Sequence, residues 1–527
     1  MKTILKIFLA VAVLAAVGWG GYKWWQAAAQ NAPMVLDVSE QTTVLVEPLD
    51  EDGYVDYVAA VNQWVSADVT PSSNAVVVLA DAFGPAPRGK LLDARYFNLL
   101  GINAPAEKGN YFQSFSDWLR ANTRDKTESE KRMVEHDYCS EHYWSSGQFP
   151  ELNRWVEQNK NSLDKVRLAS LKQNYYSPFV TPANRSEPRL EQVRLPYQSP
   201  VLQSARLLAI RARRELQAGN YKGWKRDVLT TCRLAVLISK SASIYEHVIG
   251  DAIAHGIADR ELASAIQSGK LDLEQLQDLQ LALDQIPELS SPERAFRFSQ
   301  YAGLEFLQTI VRNGERDMTK AAPWWAGDFS DYEMKSPQDI NEVARIWNRW
   351  HDRMVQPLKI TDINRRWAAI QLFDAEYETS IDKSLRKYGS ENSFSLFGRN
   401  RDPHRYMAHY ILKRLAPSLM IVYSNRCRSK TSRTMVKLAI ALEIYKRQKG
   451  QYPSDLKQLA PEFIDPVPVD SFSTGNPFDY QAWKVEYLLY AKGPGSTTDN
   501  GEYLSHRWYR PLTFKQFLDD GFEGEGL

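Results

Sequence analysis

The densest group of side chains able to bind a metal ion lies in the segment EHDYCSEHYW, residues 135–144. His136, Cys139 and His142 follow one another at intervals of three, and imidazole and thiolate are ligands that zinc and copper prefer. On a helix the first and last of these side chains point in different directions, whereas a loop could bring all three together. The spacing matches no compact zinc motif, so a metal site and a polar helix surface with one buried cysteine are both open.

Other candidate groups are weaker. His247 and His255 are two turns apart in a helical pattern, and histidines of this kind are more often packing groups than ligands. Asp402-Pro403 predicts the start of a helix. The sequence contains no G-x-S-x-G, phosphate loop, dinucleotide fingerprint or kinase signature, which counts against those enzyme classes. Hydrolysis by a pair of carboxylates leaves no short motif, so that chemistry stays open.

Composition indicates a globular protein with several domains. The chain has 527 residues, of which 43% are hydrophobic and 24% charged. Its net charge of +1 gives no general attraction to nucleic acid. Residues 383–433, however, contain twelve Lys or Arg and only two acids, Glu391 and Asp402. This basic segment either meets anionic lipid or an acidic partner, or balances acidic surfaces elsewhere.

The N-terminal segment, residues 1–25, predicts membrane insertion. Lys2 and Lys6 accompany an apolar run that is just long enough to cross a bilayer, and Trp24-Trp25 resembles an interfacial aromatic belt. We expect an uncleaved signal anchor in the inner membrane, with the main body in the periplasm or exterior. Cleavage after a small-residue site at 27–29, followed by secretion, is the alternative.

Three cysteines, Cys139, Cys232 and Cys427, are too few for a disulfide scaffold and allow at most one bridge.

The rest of the chain predicts a mainly α-helical body. A linker is expected at 26–50, a mixed but mostly helical region at 51–180 and a helical domain at 201–400. Within the first region, residues 75–81 fit either a buried strand or a buried helix. The five prolines of 177–200 predict a boundary between the two regions.

The C-terminal region, 404–527, predicts a long helix packed on a small sheet. Pro417 is expected to kink the helix, which ends at Gly450 before a Tyr-Pro turn. A short helix at 454–459 and a strand-like run at 485–493 follow. The helix carries an apolar stripe at the spacing of a single face, formed by Met435, Leu438, Ala439, Leu442 and Tyr445.

The motifs LAIALEIYKRQKGQYPSDLKQLAPEFIDPVPVD, GNPFDY and EYLLYAKGPG resemble the C-terminal globular part of the major pseudopilin of type II secretion systems. The resemblance covers about residues 417–505. Its matching positions are Gly450, Tyr452, Pro453, Leu456, Leu459, Pro468, Asp470, Pro477, Tyr480, Tyr490 and Gly493. The N-terminus lacks the leader motif of that family, so assembly into a pseudopilus is not expected.

The pseudopilin resemblance implies a possible calcium site. In that family a Gly/Asp-rich loop binds calcium through carboxylate and carbonyl oxygens. The corresponding loop here reads AKGPGSTTDNGEY, in which Asp499 and Glu502 are possible ligands, whereas Lys492 and Gly495 depart from the pattern. A solvated loop without calcium is the alternative.

Segments 48–85, 153–180 and 206–260 resemble parts of large exported bacterial proteins that join a helical body to such a tail. This second resemblance implies an architecture but no activity. We therefore expect a membrane-anchored envelope protein with a non-catalytic binding or scaffolding role, associated with a type II secretion or pilus-like apparatus. Expected partners are the inner membrane and envelope proteins, with no nucleic acid. No cofactor is expected beyond the calcium or zinc considered above. The alternative is an exported hydrolase acting on glycan or peptide in a cleft between body and tail.

Overall fold

The computed structural model describes ten stretches of the chain, and it is mainly helical with a small C-terminal sheet. The described residues are 19–21, 34–87, 89–181, 189–190, 193, 195–314, 339–389, 403–471, 477–483 and 486–491. Only 19–21 of the expected signal anchor belong to them. Within these stretches, no helix is both long enough and apolar enough to cross a membrane.

The N-terminal region is helical, including the segment whose periodicity left strand and helix open. Its helices are α1 Tyr57–Ser66, α2 Ala75–Phe83, α3 Ala94–Leu99, α4 Phe115–Asn122, α5 Lys126–Glu141, α6 Pro150–Gln158 and α7 Lys160–Ser170. Helix α2 begins where the Asn74 side chain accepts a hydrogen bond from the Val76 N–H at 3.1 Å. Most of α2 is buried, so its composition is apolar on more than one face.

The body continues with a second set of helices. They are α8 Gln198–Gln217, α9 Tyr221–Ile238, α10 Ile244–Ile253, a π-helix Ala254–Asp259, α11 Arg260–Gln267, α12 Leu273–Asp284, α13 Glu293–Arg312, α14 Ile340–Val355, a 3-10 turn Pro357–Lys359 and α15 Ile363–Gly389. One apolar core runs from Leu36 to Cys427 and includes residues on both sides of 177–200. The proline-rich stretch therefore does not separate two hydrophobic cores.

The second half of the expected linker packs on the body. Leu36, Thr42 and Thr43 are buried, and the Asn348 side chain donates hydrogen bonds at 3.0 Å to the carbonyls of Gln41 and Thr42. The structure thus differs from the prediction of a linker at 26–50, because from residue 34 onward this strip of chain is held against α14.

The C-terminal region contains two helices where one kinked helix was predicted. Its elements are α16 Pro403–Leu415, α17 Leu419–Lys449, a 3-10 turn Leu456–Leu459, β1 Asp479–Ala482 and β2 Tyr487–Tyr490. Pro417 lies in the break, since proline disfavours helical conformation in the residue before it. The Ser418 hydroxyl then caps α17 by accepting from the Ile421 N–H at 3.2 Å.

The end of α17 agrees with the prediction. Gly450 has φ of 80°, and its N–H donates to the Lys446 carbonyl at 2.8 Å. Strands β1 and β2 pair antiparallel, with Asp479 opposite Tyr490. The short helix expected at 454–459 is the 3-10 turn, and β2 lies within the strand expected at 485–493, of which the structure describes residues 486–491.

The apolar stripe of α17 belongs to a second core that joins the C-terminal region to the body. Met435, Leu438, Ala439 and Leu442 are buried in one cluster with side chains of α9, α11 and α12 and with those of the 3-10 turn and sheet, while Tyr445 packs at its edge. We call α17, the 3-10 turn and the sheet the C-terminal unit. Its long helix is covered on one side by the sheet and on the other by the body.

The crossing of α13 and α14 yields a first prediction. At Gly303 a Cβ atom would lie 2.0 Å from Cζ2 of Trp347, whose indole N–H donates to the Gln300 carbonyl at 3.0 Å. We expect Gly303→Ala to lower the free energy of unfolding by about 1–3 kcal/mol, because the buried indole cannot move aside freely. Urea unfolding measures this, with Gly256→Ala, where nothing lies within 4 Å, as control. Equal midpoints for Gly303→Ala and wild type would contradict the tight crossing.

Candidate functional site

The structure places the three candidate zinc ligands in different environments. The His136 ring stacks on Phe115 with ring centroids 4.2 Å apart, and burial lowers the pKa of its imidazole. Cys139 is fully buried, and burial raises the pKa of its thiol to about 12. His142 lies past the end of α5 and stacks on Tyr138 at 4.4 Å. In the described part of the chain, no three His, Cys, Asp or Glu residues form a group that could hold a metal ion.

The possible calcium ligands Asp499 and Glu502 lie outside the described residues. The described chain leading toward them ends at Ala491, directly after β2. Calcium binding in this loop stays a prediction.

A groove of about 390 Å³ lies between the body and the C-terminal unit, and we call it the junction groove. Helices α9, α12 and α15 and the π-helix form one side, and α17 forms the other. Its ionisable lining residues are Cys232, Asp259, Glu288, Arg366, Tyr423, Arg426, Cys427, Lys430, Arg433 and Lys437. This is the cleft in which a hydrolase acting between body and tail would carry its carboxylates.

Both carboxylates of the junction groove are held in ion pairs. Asp259 is fully buried, and its Oδ1 lies 2.5 Å from Nε of Arg433, while its Oδ2 accepts from the Ser432 hydroxyl at 3.0 Å. Glu288 pairs with Lys430 at 3.0 Å. A glycosidase needs one carboxyl group that keeps its proton and a second that is free to attack or to activate water. Neither of these two groups is placed for that work.

The two thiols of the junction groove are not activated. Cys232 accepts a hydrogen bond from Nη2 of Arg433 at 3.2 Å, yet burial raises the pKa of its thiol. Burial likewise raises the pKa of Cys427 to about 12. The thiolate is the nucleophilic form, so neither group is poised to attack at neutral pH. All three cysteines of the chain are buried and free, which leaves the permitted disulfide unformed.

The π-helix brings two buried aspartates into register with two arginines of α17. Asp251 lies 3.3 Å from Arg426, and Asp259 pairs with Arg433 as described above. The arginines are seven residues apart, about two helical turns, but the aspartates are eight apart. A π-helix accommodates one extra residue within a helix and so places the eight-residue pair on one face. The helix from 244 to 267 can therefore meet α17 with both ion pairs made.

His247 and His255 are neutral packing groups. Nη2 of Arg426 lies 3.1 Å from Nδ1 of His247, and because arginine only donates, this nitrogen is the acceptor. The protonated Nε2 then donates to the Ser241 carbonyl at 2.9 Å. Burial, reinforced by Arg426, lowers the pKa of His247 to about 3. Nδ1 of His255 lies 2.7 Å from the Asp251 carbonyl, and burial lowers the pKa of His255 to about 4.

Glu246 yields a second prediction, on pH. This carboxyl group is buried, accepts hydrogen bonds from the hydroxyls of Tyr175 at 2.6 Å and of Ser241, and its pKa is raised by burial from 4.5 to about 7. The folded state therefore keeps a proton that the unfolded state loses above pH 4.5. The stabilisation that protonated Glu246 gives the folded state is complete below pH 4.5 and disappears as the pH rises through 7.

We expect Glu246→Gln to be about 3 kcal/mol more stable than wild type at pH 8 and nearly equal to it at pH 4.5. Urea unfolding at the two pH values measures the difference, and effects shared by both proteins, such as those of the histidines, cancel. Glu288→Gln, at an exposed position, is the control. A difference that did not change with pH would contradict the raised pKa.

These ion pairs were not predicted from the sequence, although the basic segment 383–433 contains both of their arginines. Arg426 and Arg433 belong to it, and their acidic partners lie more than 170 residues away. The two arginines are seven residues apart and the two aspartates are eight apart, so the sequence does not indicate that they pair unless a π-helix is predicted between the aspartates.

In comparisons with known proteins, no family model, no curated protein and no solved structure matches this chain. The resemblance to the major pseudopilin stays a prediction that rests on the residues quoted above.

Proposed function

We propose that this protein is a membrane-anchored envelope protein with a non-catalytic binding or scaffolding role, working beside a type II secretion or pilus-like apparatus. The signal-anchor pattern at 1–25 supports an inner-membrane location with the body in the periplasm or exterior. The observation that carries the proposal is the ion pairing of both carboxylates in the junction groove. Because the carboxylates of this groove are paired with basic side chains of the same groove, we infer that the groove is a structural contact between the body and the C-terminal unit and not an active site.

The same ion pairs count against an exported hydrolase acting on glycan or peptide. In the groove, Asp259 is inaccessible to solvent, and Glu288 is mostly exposed beside Lys430. Neither environment resembles the pair of unlike carboxyl groups that such a reaction uses.

The C-terminal unit offers a specific contact for a partner. Trp483 follows β1 and is 52% exposed, although its backbone N–H is fixed by a 2.8 Å hydrogen bond to the Glu486 carbonyl. An exposed tryptophan on a fixed backbone is typical of the residues that dominate protein interfaces. The shared core beneath α17 holds this hairpin on the body.

A pull-down from crosslinked envelope tests the proposal with point variants of the full chain. Deleting 404–527 is unsuitable, because it removes α17 from the body's core. We expect Trp483→Ser to lose a defined set of envelope proteins, identified by mass spectrometry as secretion or pilus components. Leu281→Ser, at a 69% exposed site on α12, should keep them. Identical partner sets for wild type and Trp483→Ser, or partners without any envelope protein, would overturn the proposal.

A further inference from the structure

A second cavity, of about 500 Å³, lies where α14, α15 and α16 meet, and we call it the cationic pocket. Its lining residues are Ile346, Arg349, Trp350, Arg353, Ser380, Lys383, Ser384, Arg405 and His409. Four of them carry a positive charge and none is an aspartate or glutamate. In a chain with a net charge of +1, such a separation of charge marks a place suited to an anion.

The floor of the cationic pocket is buried and its rim is charged. Trp350, Ser384 and His409 are at most 8% exposed, whereas Lys383 and Arg405 are open to solvent. The Arg353 guanidinium lies over the Trp350 ring at 4.9 Å. Lys383 forms no ion pair with any residue that the structure describes. An anion entering the pocket therefore meets the charged ends of Lys383 and Arg405 at the rim before it reaches the buried floor.

Glutamates outside the pocket hold two of its arginines. Arg353 pairs with Glu376 at 2.5 Å, and Arg349 pairs with Glu342 at 3.0 Å. Each guanidinium has five N–H donors, so one such contact leaves donors for a ligand. The two ion pairs thus orient the arginine side chains and leave some of their N–H groups available to a ligand.

Ser384 is the observation that points to a ligand. Its side chain is 5% exposed, and its hydroxyl is buried with no hydrogen-bond partner among the described residues. Burying a hydroxyl without a partner is unfavourable, and a ligand oxygen that accepts a hydrogen bond from the hydroxyl removes this cost. The neighbouring His409 is held by the tryptophan: its Nε2 accepts the Trp350 indole N–H at 3.3 Å, so the neutral ring carries its proton on Nδ1.

We propose that the cationic pocket binds a phosphate-bearing group, with Ser384 donating to a phosphate oxygen and Lys383 and Arg405 neutralising its charge. Phosphate fits better than a single carboxylate because it offers more acceptor oxygens and up to two charges to Lys383, Arg405 and the remaining donors of the two arginines. The cavity is larger than phosphate alone, which leaves room for the organic part of an ester. This site is independent of the partner surface at Trp483.

Isothermal titration of inorganic phosphate into the full chain in neutral detergent tests binding. We expect Lys383→Gln/Arg405→Gln to weaken affinity about 100-fold, tenfold for each lost charge. Ser384→Ala should weaken it about tenfold with an unchanged unfolding temperature, since the hydroxyl has no protein partner to lose. Arg365→Gln, on the same helix but outside the pocket, is the matched control and should bind as wild type does.

Vesicle flotation distinguishes a lipid headgroup from a soluble phosphate. The full chain is mixed with phosphatidylcholine vesicles that contain or lack phosphatidylglycerol, and the N-terminal apolar segment contributes equally to both. Retention that depends on phosphatidylglycerol and is lost in Lys383→Gln/Arg405→Gln identifies a headgroup site. Phosphate binding without that dependence identifies a soluble ligand. If neither phosphate binding nor flotation differs between wild type and the pocket variants, the proposal is wrong.

Discussion

Replacing both Leu438 and Leu442 by alanine is expected to lower the free energy of unfolding by about 4–10 kcal/mol, which approaches the whole stability of an ordinary domain. Both side chains are fully buried in the core shared by the C-terminal unit and the body. Each substitution removes apolar burial and leaves a cavity between α17 and the helices that cover it. Ile421→Ala, on the same helix but 50% exposed, should change stability by less than about 1 kcal/mol.

Hydrogen exchange shows where the stability is lost. If the core is shared, the double alanine variant loses amide protection in α11 and α12 together with the C-terminal unit. A loss restricted to the C-terminal unit, α17 included, would instead mean that this unit is an independent module, as a free pseudopilin-like domain would be. The experiment therefore also tests how far that resemblance describes the architecture.

Asp259→Ala is expected to lower the free energy of unfolding by about 3–5 kcal/mol, because it leaves the Arg433 guanidinium without its carboxylate in a buried site. Burial alone would lower the pKa of Arg433, but Asp259 outweighs burial and keeps the guanidinium charged. Asp284→Ala is the control: its 2.8 Å pair with Lys437 is largely solvent-exposed and should contribute less than about 1 kcal/mol. Chemical denaturation of the three proteins measures both effects.

The double variant Asp259→Leu/Arg433→Met separates loss of the ion pair from loss of packing. Because it removes both charges and fills the space with apolar side chains, it should recover most of the stability lost in Asp259→Ala. An Asp259→Ala protein as stable as wild type would show that Arg433 does not need this carboxylate. Asp259 would then be available for chemistry, and the hydrolase alternative would gain support.

Several features of the fold follow from residues close together in the chain. The mainly helical class, the beginning of α16 at Pro403 and the end of α17 at Gly450 were predictable, because caps and turns depend on hydrogen bonds within a few residues. The stripe from Met435 to Tyr445 likewise marks one apolar face by its period. Local interactions do not reveal which surface covers such a face.

Tertiary packing decided other features, which local patterns left open. Residues 75–81 are helical because Asn74 caps them and the body buries them, which their apolar composition alone could not distinguish from a strand. In the segment 135–144, the His136 ring lies against Phe115 and the His142 ring against Tyr138, so the three candidate zinc ligands do not form one group in the structure. In both segments the conformation and the side-chain contacts depended on residues outside the sequence motif or on the geometry of the helix that carries it.

The basic segment 383–433 shows most clearly which features follow from the sequence and which follow from tertiary packing. Its excess of Lys and Arg is visible in the sequence, but the sequence does not say that Lys383 and Arg405 line one cavity while Arg426 and Arg433 pair with buried aspartates in another. Charge is a property of each residue, whereas pairing and desolvation depend on the helices that pack around it. Composition therefore sets the number of charges in this segment, whereas the packing of the helices sets which of them meet a buried carboxylate.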